Sequence, residues 1–137
     1  EVGAAYAPNV ELANTLWQES SRECKILATM LYPKDSFGQD EADQWLEGCF
    51  TTELLEQLIF NLLQHLPFAN VLAERWMNDP AAERRSAGYL LQLRLLLAKK
   101  AEAPGESVLS MAIKDCQSDH YQLKQHASRL VDRLTAQ

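Results

Sequence analysis

No stretch of this sequence alternates apolar and polar residues with period two for long enough to make a strand. Its apolar residues recur instead at three- and four-residue steps, so the chain can bury them only by packing helix on helix. Punctuation residues divide it into eight helices. The first covers about 10–19, with Leu12, Leu16 and Trp17 apolar. Ser20 and Glu23 have capping-box spacing for a second over 21–32, which Pro33 stops. Asp40 is placed to cap a third that ends near Gly48, and Thr51 or Thr52 to open a fourth that reaches His65. A fifth covers about 68–77. Asp79-Pro80, a capping residue followed by proline at the first helical position, opens a sixth that runs to about Lys100. Ala103-Pro104-Gly105 breaks the chain before a seventh over 106–116, and Ser118 or Asp119 caps the eighth.

The connections are short, which makes neighbouring helices antiparallel. Trp17, Trp45 and Trp76 each fall near the end of an odd-numbered helix, 28 and 31 residues apart, and two of them share the frames Ala42-Asp43-Gln44-Trp45 and Ala73-Glu74-Arg75-Trp76. A period near 30 made of helix pairs is the pattern of an α-solenoid, here about four stacked pairs in a single all-α domain over 1–137 with a flexible start over 1–9. At that recurrence the tryptophans are expected in the core and not as a base-stacking platform.

With 137 residues the chain is long enough for one core without a disulfide or metal staple. No apolar run approaches the roughly 18 residues of a membrane span, and the first residues lack the basic flank and apolar stretch of a signal peptide. Cys24, Cys49 and Cys116 share no ligand spacing with one another or with His65, His120 and His126, so reduced thiols in a cytoplasmic protein, no metal and no cofactor are expected. The net charge of −6 argues against a nucleic-acid partner, but it is unevenly spread. Residues 1–68 hold 3 basic and 11 acidic side chains, whereas residues 69–137 hold 10 basic and 8 acidic. A nucleic acid reads a local patch, so the second half is open to DNA and the acidic first half favours a protein partner.

Two helices carry candidate chemistry. On the fourth, Leu54, Leu55, Leu58, Ile59 and Leu62 share an apolar face, while Glu53, Glu56, Phe60 and Gln64 fall opposite. Phe60 in that polar stripe reads most simply as packing against a next helix pair, and the two glutamates as N-terminal charges favoured by the helix dipole. The sixth helix is apolar almost all round except for Arg84, Arg85, Gly88, Gln92 and Lys99. Two arginines followed one turn on by a glycine suit phosphate contacts, with Gly88 admitting either a neighbouring helix or a DNA backbone. The plainer alternative is a solvated stripe whose arginines make ion pairs, such as Arg85 with Glu53 or Glu56. In the last helix Lys124, Arg129 and Arg133, with His120, Tyr121 and His126, add only what the helix dipole would favour anyway. There is no glycine-rich phosphate loop, no cysteine nucleophile frame and no Ser-x-x-Lys.

The runs Leu16-Trp17-Gln18-Glu19 with Arg22-Glu23-Cys24-Lys25-Ile26-Leu27-Ala28, and Trp76-Met77-Asn78-Asp79 with Glu83-Arg84-Arg85-Ser86-Ala87, resemble the helix-pair signatures of the HEAT-like DNA alkylation repair glycosylases. The resemblance covers about 10–134 and implies further helices ahead of this sequence. It implies a double-stranded DNA partner bound on a concave helical face and excision of positively charged N3- or N7-alkylated purines, as in a DNA-3-methyladenine or 7-methylguanine glycosylase. The family's Trp-Asp-x-x-Asp motif falls on Thr52-Glu53-Leu54-Leu55-Glu56, which places the catalytic carboxylate at Glu56 and replaces a tryptophan by Thr52. The site arginine falls on Arg84 or Arg85, with Gln92 and Lys99 beside them toward DNA. A later family tryptophan falls at about Leu130. The carboxylate is thus one methylene longer and both mapped tryptophans are absent, which leaves a non-catalytic scaffold that binds protein on the concave face as the alternative.

Overall fold

The computed structural model describes residues 10–49, 51–100 and 105–135. The start over 1–9 and most of the Ala103-Pro104-Gly105 break lie outside them. Among the described residues there are eight α-helices and no strand. They are α1 (Val10–Gln18), α2 (Arg22–Leu31), α3 (Gln39–Glu47), α4 (Thr52–Asn61), α5 (Ala69–Met77), α6 (Ala82–Leu97), α7 (Glu106–Asp115) and α8 (Tyr121–Thr135). Single 3₁₀ turns follow α2 at Lys34–Ser36 and α4 at Leu63–His65. The chain divides into two compact units, one ending at Pro67 and one beginning at Phe68.

Several caps differ from the sequence expectation by one or two residues. Ser21, not Ser20, caps α2 by accepting from the Cys24 amide. Gly38 precedes α3, where the Glu41 carboxylate accepts from the Gly38 N–H at 2.8 Å, and Asp40 lies inside the first turn. Asp79 does not start α6 at Pro80; its Oδ1 accepts from the Ala81 amide at 2.8 Å, and the helix begins after that turn. His120 caps α8, its Nδ1 accepting from the Leu123 amide, while Ser118 Oγ accepts from the His120 N–H. At the starts of α2 and α8 polar side chains stand side by side, Ser20-Ser21 and Ser118-Asp119-His120, and tertiary packing selects among them.

In the first unit, α1 and α2 form an antiparallel pair closed by Lys25, whose Nζ donates to the Trp17 carbonyl at 2.6 Å and lies 4.3 Å from the Trp17 ring centroid. Trp17 and Trp45, at the ends of α1 and α3, stack with centroids 4.3 Å apart and planes 4° from parallel. Tyr32 and Phe37 meet Trp45 edge-on. The tryptophan recurrence therefore marks equivalent positions of successive helix pairs, buried as the spacing predicts. α2 and α4 run side by side in the same direction. Arg22 and Glu53 join their first turns, and Asn61 donates to Thr29 Oγ1 near their last turns.

In the second unit, α5 and α6 cross closely at Gly88. A Cβ there would lie 2.6 Å from the Met77 backbone nitrogen and 2.9 Å from the Trp76 carbonyl carbon. Of the two roles open to Gly88, contact with a neighbouring helix is the one seen. α6 and α8 also run in one direction, joined by Glu83 with His120 and by Ser86 with His126. Each unit thus holds two successive helix pairs with their second helices parallel, the order of a helical repeat.

Candidate functional site

The first candidate surface is built on α4. Thr51 Oγ1 accepts from the Leu54 amide at 3.1 Å and starts the helix, and Leu54, Leu55, Leu58 and Ile59 bury its apolar face. That orientation leaves Glu53, Glu56 and Phe60 exposed on the other side. Arg22 grips Glu53 with two bonds, Nε to Oε1 at 2.5 Å and Nη2 to Oε2 at 2.6 Å. The guanidinium holds the Glu53 carboxyl below the usual carboxylate range, chiefly through these hydrogen bonds. Glu56 lies one turn on and Phe60 one turn after that. Phe60 is 52 % exposed.

The helix ends at Asn61, short of the expected His65, and the chain enters the 3₁₀ turn. This change of pitch swings Gln64 off the polar stripe and buries it. Its Nε2 donates to the Phe60 carbonyl at 2.9 Å, and His65 Nε2 approaches the same oxygen at 3.1 Å. Asn61 Nδ2 donates both to Thr29 Oγ1 and to Gln57 Oε1. The peptide that carries Phe60 is therefore held on both sides. Thr52, where the family motif has an aromatic residue, is half-buried, and Leu130 is fully buried in the second unit.

The second candidate surface, on α6, is less open than its sequence suggests. Arg85 meets Asp115 with Nε to Oδ2 at 2.9 Å and Nη2 to Oδ1 at 3.1 Å, and its Nη1 donates to the carbonyls of Asp79 and Pro80. Tyr89 Oη donates to Asp115 Oδ2 at 2.5 Å, and burial together with this carboxylate pushes the phenol pKa up. The partner of Arg85 is thus Asp115, not Glu53 or Glu56. Gln92 is buried, and Gly88 is taken up by α5. Arg84 is half-buried with its Nε 3.9 Å from Asp79 Oδ2. Lys99 is exposed beyond the helix end with φ of 60°. The expected stripe is not one solvent face, because α6 has α5 on one side and α7 and α8 on the other. Arg84 and Lys99 are its water-facing parts. On α8, His126 is buried against Ser86 at 2.7 Å, whereas Tyr121, Lys124, Arg129 and Arg133 are exposed and His120 is half-buried.

Sequence reasoning missed Asp115, Tyr89 and Lys25. Lys25 lies 7 % exposed on the wall of a pocket of about 270 Å³ with Asn14, Gln18, Gln44, Glu47 and both stacked indoles, and burial lowers its pKa. Beside it, burial pushes the Cys49 thiol up to about 12, so this cysteine is no ready nucleophile. The three cysteines are free thiols. Among the described residues no group of His, Cys, Asp and Glu is arranged to hold a metal, and no helix is long and apolar enough to cross a membrane.

Residues 3–128 match the model of a family described as DNA alkylation repair enzyme. No curated protein and no solved structure matches the chain.

Proposed function

The chain belongs to the DNA alkylation repair enzyme family, and from that membership we propose that it binds alkylated duplex DNA and releases N3- or N7-alkylated purines, with Glu56 as the carboxylate. The observation that carries this reading is the exposed face of α4, where Glu56 stands one turn after the paired Glu53. An alkylated purine already bears a positive charge and leaves without a strong general acid. A carboxylate helps by stabilising the oxocarbenium-like sugar or by orienting the attacking water. Glu56 serves that purpose from a helix whose register is fixed by the Thr51 cap and by the Arg22–Glu53 pair.

For the DNA backbone we assign Arg84 and Lys99 as the phosphate contacts of the second unit. Arg85 and Gln92 support α6 from within. This division follows burial: a guanidinium held by Asp115 is committed, whereas Lys99 faces water. A second reading, a scaffold that binds another protein, draws on the exposed aliphatic side chains Val71, Leu97, Met111 and Ile113.

The test is salt-titrated binding of duplex DNA, with release of 7-methylguanine measured alongside. Binding is expected to weaken steeply with salt, and an Arg84→Glu, Lys99→Glu double variant to flatten the slope by about two counterions. Glu56→Gln is expected to slow release by about 10²-fold or more while leaving binding intact. Absence of binding at low salt would sink the DNA reading in favour of the scaffold. Binding without release would leave a DNA-binding protein that has lost the chemistry.

A further inference from the structure

The first unit holds a polar pocket that neither the carboxylate face of α4 nor the cationic stripe of α6 uses. It opens where α1 and α3 end beside α2, and its volume is about 270 Å³. Its walls include Trp17 and Gln18 from α1, Lys25 from α2, and Gln44, Glu47 and Gly48 at the end of α3. Trp17 is 3 % exposed and engaged through its ring, with Trp45 stacked 4.3 Å away and Lys25 Nζ 4.3 Å from its centroid. Among the described residues none accepts from its indole Nε1–H. A buried indole N–H ordinarily finds an acceptor. Gly48 lies against that part of the ring, so close that a Cβ would stand 2.7 Å from Nε1. Gln18 and Gln44 are exposed, which puts their side-chain amides at the mouth.

Of the two charged walls, Lys25 is buried and Glu47 is exposed. Water screens the carboxylate, whereas the buried ammonium projects its field into the pocket. Donating to the Trp17 carbonyl leaves that charge in place. Burial lowers the Lys25 pKa, the mark of a cation short of solvation, and an anion beside it supplies what water does not. Lys25 need supply only its field. The contacts fall to the Trp17 Nε1–H and to the amides of Gln18 and Gln44, donors that match the two acceptor oxygens of a carboxylate. A monoanion suits these walls better than a dianion, because Glu47 opposes a second negative charge. We infer that this pocket binds a small carboxylic acid in its ionised form, at a site separate from the proposed DNA surface. A water takes roughly 30 Å³ of the liquid, so an acid of about ten heavy atoms or fewer fits the space.

Butyrate and butyramide, alike in shape and different in charge, serve as probes. Each is titrated at constant ionic strength into isotope-labelled protein while the indole N–H resonances of Trp17, Trp45 and Trp76 are followed by NMR. Butyrate is expected to move the Trp17 resonance downfield with a Kd of about 1–10 mM, about 10-fold below that of butyramide. The Trp76 resonance, from the other unit, is expected to stay in place. Gln44→Glu adds a negative charge at the mouth and, being exposed, leaves the fold unchanged. It is expected to weaken butyrate by about 3- to 10-fold and butyramide by less than about 2-fold. Lys25→Met is expected to remove the preference for the charged probe, and Gln44→Glu keeps the test open if that variant fails to fold. N-acetyl-alanylglycine, whose one charge is a terminal carboxylate, separates a free acid from a chain end. Tighter binding of this peptide than of butyrate would give the pocket to a chain end and overturn the free acid. An equal response to butyrate and butyramide, or a Trp17 resonance that does not move at about 100 mM butyrate, would overturn this inference and leave the DNA reading untouched.

Discussion

The two compact units hold their helices together by different means. In the unit ending at Pro67 the deep contacts are aromatic, with Trp17 stacked on Trp45 and Tyr32 and Phe37 at the edges, while its best-formed ion pair, Arg22 with Glu53, lies on the surface. In the unit beginning at Phe68 the apolar core is joined by a polar cluster between helices: Arg85 and Tyr89 close on Asp115, and Ser86 meets His126. Apolar packing leaves charged groups at the surface, where a ligand can use them. Buried polar packing commits them to one arrangement of helices. The difference explains why an arginine-rich helix offers little open cationic surface, and why an acidic helix carries the more accessible candidate site.

The largest effect that bears on this contrast should come from Asp115→Ala. Removing one partner of a buried, hydrogen-bonded pair leaves the Arg85 guanidinium and the Tyr89 hydroxyl without their acceptor, at a cost of about 3–5 kcal/mol. Arg85→Ala should cost a similar amount, and the double variant much less than the sum. Chemical denaturation of the four proteins measures it. A loss under about 1 kcal/mol for Asp115→Ala would place the pair with ordinary surface bridges and erase the contrast between the units.

Gly88→Ala should come next. Alanine is favoured over glycine in a helix by about 1 kcal/mol, so propensity alone predicts stabilisation. The new Cβ would instead meet the Met77 nitrogen at 2.6 Å and the Trp76 carbonyl carbon at 2.9 Å, both backbone atoms of α5 that cannot turn aside. Forcing the helices apart should outweigh the propensity gain, for a net loss of about 1–3 kcal/mol in a thermal or urea melt. A neutral or stabilising result would show that α5 and α6 are free to slide.

Much of this was legible in the sequence. Helix number, the buried tryptophans and the polar stripe of α4 follow from periodicity, because an apolar face must be covered whatever covers it. What stayed hidden were the partners of buried polar groups, although the repeat itself points to them. Arg22 meets Glu53 31 residues on, Asn61 meets Thr29 32 residues back, and Arg85 meets Asp115 30 residues on. The expectation of Glu53 or Glu56 for Arg85 looked one period backward, whereas the partner lies one period forward. Exposure on α6 was misjudged for a different reason. A helical wheel shows which residues share a side but not how many neighbours cover it, so Gln92 reads as surface and is buried. The rigid seating of Phe60 was invisible because it depends on α4 ending at Asn61, where a 3₁₀ turn brings Gln64 and His65 back onto its carbonyl.

His126 sharpens the comparison through pH. Desolvation lowers its pKa below the ordinary 6.5, so the unfolded chain binds this proton more readily than the folded one. The second unit is then at full strength above about pH 6.5 and weakens as pH falls toward the folded value, by at most about 1.4 kcal/mol per pH unit. Below the folded pKa both states are protonated and the loss levels off. Ser86 and the Arg129 charge face this ring, and that charge adds to the lowering. Melting midpoints of wild type and His126→Leu between about pH 5 and 8 separate this histidine from the others. A wild-type slope that survives in His126→Leu would move the effect elsewhere.

The smallest effect is expected at Arg22. Its two bonds to Glu53 are short and bidentate, yet both side chains are largely exposed, and solvent screens what the geometry gains. Arg22→Ala should shift the melting midpoint by no more than about 2 °C. Its visible consequence should be functional, because losing Arg22 adds an uncompensated Glu53 charge to the face that carries Glu56 and Phe60. That extra negative charge should repel the DNA backbone and weaken binding of modified and unmodified duplexes alike, more so at low salt. A large drop in melting midpoint would instead make this surface pair as structural as Arg85 with Asp115, and the two units would no longer differ in where they place the charges that hold them together.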